Sequence, residues 1–118
     1  MARINATVTA TDGQGNQVNL SISPDPISVP PGQHQIVIAL DSQTNQATVF
    51  DTDDPVYYAN GHSCPNSGRN CDQLNVVSCT DTALTLGDNN NAPNTIGYQL
   101  NFHSGNRPQH LDPIIINN

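Results

Sequence analysis

Thr82–Phe102 reads TALTLGDNNNAPNTIGYQLNF, and the fold turns on it. Leu84 and Leu86 alternate with Thr85, and Tyr98, Leu100 and Phe102 alternate with Gln99 and Asn101. A period of two on both sides of a run of turn formers, Asp88–Asn91, predicts two half-buried strands and no helix.

Composition extends that reading to the whole chain of 118 residues. Every acidic residue is Asp and every basic one is Arg. The missing Glu and Lys are two of the best formers of solvent-facing helix, whereas the abundant Asn, Thr, Ser, Gly and Pro are poor inside helices. The length suits one domain, 1–118, which buries roughly two thirds of its unfolded surface without help from metal or disulfide. The net charge of −7 rests on ten Asp against Arg3, Arg69 and Arg107. Three scattered arginines do not release the counterions of a phosphate backbone, so nucleic acid and anionic membranes are not expected partners. The N-terminus MARINATVTA has no basic segment followed by an apolar stretch, and no run approaches the ~20 apolar residues needed to cross a bilayer. A soluble chain is expected, with no signal peptide in the given sequence and no particular compartment indicated.

The same period recurs along the rest of the chain. Residues 3–10 alternate and are followed by the hairpin turn Asp12-Gly13-Gln14-Gly15-Asn16 and a returning strand through Val18, Leu20 and Ile22. Pro24 and Pro26 break that strand. Ile27 and Val29 form a short apolar pair before Pro30-Pro31-Gly32. Gln35–Leu40 is the most apolar run and reads as a central strand covered on both faces. Ala47–Phe50, Val56–Ala59 and Leu74–Cys79 are further strands, the last with a bulge near Val76-Val77. Between them lies the aperiodic loop 60–73. The chain ends on His110–Asn117, expected to pair beside Tyr98–Phe102 through the loop Ser104–Gln109, with Ile114 and Ile116 on one face and Ile115 on the other. Seven to nine short strands with turns about every ten residues predict an all-β, two-sheet antiparallel β-sandwich.

Ser23-Pro24-Asp25-Pro26, Val29-Pro30-Pro31-Gly32 with its apolar strand, Asp88-Asn89-Asn90, Tyr98-Gln99-Leu100 and the ending Asp112-Pro113-Ile114-Ile115-Ile116-Asn117 occur in that order. In this order the chain resembles the DP-EP family, uncharacterised small bacterial β-sandwich proteins, from Val18 onward. The loop 60–73 lies outside the pattern. The resemblance implies an immunoglobulin-like topology and no established activity. Independently of it, the position of Tyr98 is compatible with a tyrosine corner whose hydroxyl meets the preceding connection, or with a ring that merely alternates into the core.

No motif assigns an activity. Cys64 and Cys71 share one loop and are a disulfide candidate worth about 2–3 kcal/mol; three reduced thiols, or a pairing that involves Cys79, are the alternatives. His62, Cys64 and Cys71 lack the paired spacing of zinc ligands, and no Cys–His–Met set suits blue copper. Asp51, Asp53 and Asp54 with Asp41 or Asp88 are a calcium set by residue type, but Asp88–Asn91 lacks the Gly and Glu of an EF-hand, and turn chemistry explains the same residues. No nucleophile elbow and no glycosidase carboxylate pair is present. The expectation is therefore no cofactor, no metal and no catalytic residue: a non-enzymatic binding module with an unknown protein or carbohydrate partner. Its candidate interaction surface is the end that bears Asp51, Asp53 and Asp54, with Tyr57 and Tyr58, and with His62 and Arg69 from the loop. The alternative is a structural or assembly subunit, a homo-oligomer joined through an edge strand, Ala47–Phe50 or His110–Asn117. A hydrolase is the third reading.

Overall fold

The computed structural model describes residues 2–15, 17–58 and 73–118. They contain no helix and eleven strands: β1 (Ala2–Asp12), β2 (Val18–Ser23), β3 (Ile27–Val29), β4 (His34–Gln43), β5 (Thr48–Phe50), β6 (Val56–Tyr58), β7 (Leu74–Cys79), β8 (Ala83–Asp88), β9 (Asn94–Ser104), β10 (Arg107–Leu111) and β11 (Ile114–Asn117). The first sheet runs β2-β1-β4-β8-β7. The second is gathered around β9, with β5 and β6 along one flank, β10 and β11 along the other, and β3 beyond β11. Neither sheet closes into a barrel.

The two halves of the deciding stretch therefore part company. β8 belongs to the first sheet and β9 to the second, and the Asn- and Pro-rich linker between them carries the chain across. Their apolar faces meet in one cluster: Ile36, Ile38, Leu84 and Leu86 from one sheet lie against Ile96, Tyr98, Leu100 and Phe102 from the other. Phe50 stacks on its cross-strand partner Phe102 with ring centroids 4.8 Å apart, a pairing worth about 0.5–1.5 kcal/mol beyond burial.

Several expectations are corrected. The sheets are mixed: β1 and β4 run parallel from Ala2↔His34 to Thr11↔Gln43, and β11 and β3 are parallel as well. A parallel pair needs a crossover of a dozen residues or more. Residues 13–33 supply it here by visiting β2 and then β3 in the other sheet. Periodicity shows which face is buried and is blind to strand direction. β4 is central, as expected, but only its Ile36 and Ile38 face is buried; Val37 is half-buried and Ala39 exposed, because no third layer covers the outer side.

The terminal strand is two strands. The hairpin is tight, Ser104 pairing with Arg107 across Gly105 at φ 59°, a conformation that suits glycine. The returning chain pairs with Leu100–Ser104 as β10, is interrupted at Asp112-Pro113, and pairs with Asn94–Gly97 as β11. Proline has no N–H to donate to a ladder, while its carbonyl accepts from Tyr98 N at 3.2 Å. β11 is consequently an interior strand between β9 and β3, and not an edge. Ile115 is its fully buried residue, with Ile114 exposed. The bulge in β7 falls between Val76 and Ser78, where it was expected.

Candidate functional site

β9 alternates strictly, so the residues between its core positions share the outer face of the second sheet. Those residues are Gln99, Asn101 and His103. Cross-strand register adds Tyr57 opposite Gln99, His110 opposite Asn101, and Val49 and Pro108 on either side of His103. None of them is Asp or Arg.

Asn101 organises this face. Its backbone accepts from Asp51 N and donates to Pro55 O, both at 2.9 Å, and its Nδ2 donates to Asp54 O at 2.8 Å. These three bonds clasp the Asp51–Pro55 turn onto β9 and separate β5 from β6. Because Nδ2 is committed to a carbonyl, Oδ1 points the other way and accepts from Gln99 Nε2 at 2.8 Å and His110 Nδ1 at 3.0 Å. Gln99 Nε2 also approaches His110 Nδ1, at 3.3 Å, so the three side chains form one network. Gln99 Oε1 and His110 Nε2 have no protein partner among the described residues, and Tyr57, opposite Gln99 in the register, is 42% exposed. The result is a preset patch of amide, imidazole and phenol groups.

The expected acidic surface is partly assembled here. Asp51 accepts from the backbone N–H groups of Asp53 and Asp54 at 3.2 and 3.3 Å through Oδ1, which is turn chemistry. Thr52, Asp53, Asp54 and Pro55, with Val56, Val76 and Cys79, line a cleft of about 330 Å³ beside the patch. Burial pushes the Cys79 thiol above its ordinary range, and the carboxylates of Asp51 and Asp81 add to the effect. The calcium grouping of Asp88 with Asp51, Asp53 and Asp54 does not form. Asp88 closes the far end of β8, opposite Leu74, whereas Asp81 at the start of the β8 hairpin accepts from Phe50 N next to the Asp51 turn. Asp41, the other carboxylate in that grouping, accepts from Gln43 Nε2 at 3.0 Å. Among the described residues no group of three or more His, Cys and Asp side chains is placed to hold a metal.

Cys64, Cys71, His62 and Arg69 lie outside the described residues, as does the side chain of Tyr58, whose backbone pairs with Tyr98. Gln73, the described residue that closes the loop, sits with Asn117 and Asp88, away from the Asp51–Asp54 turn. The tyrosine corner is not formed: the Tyr98 hydroxyl is buried without a hydrogen-bond partner among the described residues. Burial, and then the Asp25 carboxylate, raise its pKa.

Sequence reading placed Tyr57 and Asp54 in the site and passed over Gln99, Asn101 and His110. The signal was present in the alternation of β9, but amide residues in a strand also fit an ordinary solvated face, and the pairing with His110 depends on register. The chain matches no protein-family model, and a comparison with curated proteins finds no similar sequence.

Proposed function

We propose that this protein is a non-enzymatic binding module, built as a two-sheet sandwich of the immunoglobulin-like kind that the DP-EP resemblance implies, and that it takes a neutral carbohydrate on the outer face of β6, β9 and β10. The Gln99–Asn101–His110 network beside the exposed Tyr57 ring carries this reading. Sugars offer hydroxyls in pairs and an apolar ring face. Planar amide and imidazole groups answer the first and a tyrosine ring the second. The three side chains are already held by their mutual bonds, so little ordering opposes binding. Affinity electrophoresis through gels containing soluble xylan, mannan or β-glucan tests it. Retardation by at least one polysaccharide is expected, abolished by Tyr57→Ala without a change in melting temperature; unretarded migration in all three gels overturns it.

A second reading, assembly through a sheet edge, is supported by β7, where Val76 and Val77 are 43% and 51% exposed on the outermost strand of the first sheet. The edge expected at Ala47–Phe50 is less open, because Phe50 N is taken by Asp81 O. Light scattering distinguishes the readings: a monomer favours the carbohydrate face, a stable dimer the β7 edge. A hydrolase gains little support, since a thiol held protonated is a poor nucleophile.

A further inference from the structure

A second polar cluster, unrelated to the carbohydrate face, lies where β8, β11 and β3 end together. Asp88, Asn90 and Asn117 are only 2%, 3% and 2% exposed. Asp88 Oδ1 accepts from Asn90 N at 3.0 Å and from Asn117 Nδ2 at 2.9 Å. Asn117 Nδ2 also donates to Gln73 Oε1 at 2.5 Å. Asn90 Nδ2 donates to Val29 O at 3.0 Å and Pro30 O at 2.5 Å. Every side-chain amide donor of the two asparagines is thus used. What remains is oxygen: Asp88 Oδ2, Asn90 Oδ1 and Asn117 Oδ1 are all buried without a hydrogen-bond partner among the described residues.

Buried acceptors left unpaired are rare, because each forfeits its water without replacement. Asn117 meets the Asp88 carboxylate through its side chain and Asn90 through its backbone N–H, and among the described residues no cation bonds the three oxygens. Their chemistry is that of a hard cation, which prefers carboxylate and amide carbonyl oxygens and has no use for sulfur or imidazole. Asn90 holds this arrangement at φ 37°, in the left-handed region that asparagine enters more readily than most residues. Asp88 also lines a cavity of about 180 Å³ with His34, Asn75 and Asn89, which offers an entry path and room for water ligands.

We propose that Asp88, Asn90 and Asn117 hold a calcium ion that ties the end of the first sheet to the end of the second. Calcium fits better than magnesium because its coordination is irregular and it dehydrates readily. One carboxylate makes the site weak, in the millimolar class of extracellular modules. Burial raises the Asp88 carboxyl above its ordinary range, although its hydrogen bonds from Asn117 and Asn90 and the nearby His34 oppose the rise; a bound cation reverses that penalty.

The test is isothermal titration and thermal melting of the full chain with calcium chloride, with magnesium chloride and sodium chloride at matched ionic strength as controls. A saturable rise in melting temperature specific to calcium is expected, with Asp88→Asn weakening calcium at least tenfold and Asn117→Asp tightening it at least tenfold. No saturable response, an equal response to all three salts, or undiminished binding by Asp88→Asn overturns the proposal. Should Asp88→Asn fail to fold, Asn117→Asp decides, and an unchanged affinity in that variant overturns it.

Discussion

Asn101 and Asn117 are both buried asparagines on strands of the second sheet, yet they end differently. Asn101 is complete: its amide donates to Asp54 O, its Oδ1 accepts from Gln99 and His110, and the network opens outward through groups that water or a ligand satisfies. Asn117 spends its amide on Gln73 and Asp88 and keeps inside an oxygen that no described residue meets. A polar network at a surface completes itself with solvent. One sealed in a core must include every partner, so the shortfall at Asn117 points to a missing component and the surplus at Gln99 and His110 points to a recognition face.

Removing the strand that bears Asn117 has the largest expected effect. Ending the chain at Leu111 deletes Ile115, which is fully buried, and strips β3 of its one partner strand among the described residues. Loss of a buried Ile alone costs about 2–5 kcal/mol against a typical total of 5–15, so the truncated chain is expected to show no cooperative unfolding by circular dichroism. A melt near the full-length midpoint would mean that the β11 cluster does not hold the sheets together. Asn101→Ala comes next. It strands Asp54 O and the donors of Gln99 and His110, and urea denaturation should register a loss of about 1–3 kcal/mol; no loss would show that the clasp on the Asp51–Pro55 turn is decorative.

Asp88→Asn is expected to act in the opposite direction when calcium is absent. The folded-state pKa of Asp88 is raised, so its favourable contribution is fully present where the carboxyl is protonated in both states and is lost as pH rises through the folded value. The variant escapes that loss by removing the buried charge. It should therefore be more stable than the parent by about 1 kcal/mol at pH 7, with the advantage shrinking toward pH 4; an advantage that is constant across a urea series from pH 4 to 8 contradicts the ionised, buried Asp88. Smallest of all, Tyr57→Ala should change stability by less than about 0.5 kcal/mol, while removing retention on polysaccharide. A large destabilisation would move Tyr57 from the recognition face into the fold.

Much of the frame was legible because strand burial repeats every two residues. The β1–β2 hairpin, the core positions of β8 and β9, the bulge at Val76 and the breaks at Pro24 and Pro26 all follow from local chemistry. The split of β10 from β11 was less visible, since Asp112-Pro113 reads equally as a strand start. The candidate site was legible only in fragments. Tyr57 and Asp54 stood out as an aromatic beside an acidic turn, whereas His110 met Asn101 only through the register of β10 on β9.

By itself, the sequence determined the all-β class, the inward face of most strands and the turns, because alternation, proline and the absence of Glu and Lys act within a few residues. Only the tertiary structure decided that β8 and β9 enter different sheets, that β1 and β4 run parallel, and that Asp88 joins Asn90 and Asn117 in place of Asp51. Strand direction and partner choice depend on how the shared core closes between residues far apart in the chain. A hydrogen bond such as Asn117 to Asp88, spanning 29 positions, leaves no local trace in the order of the residues.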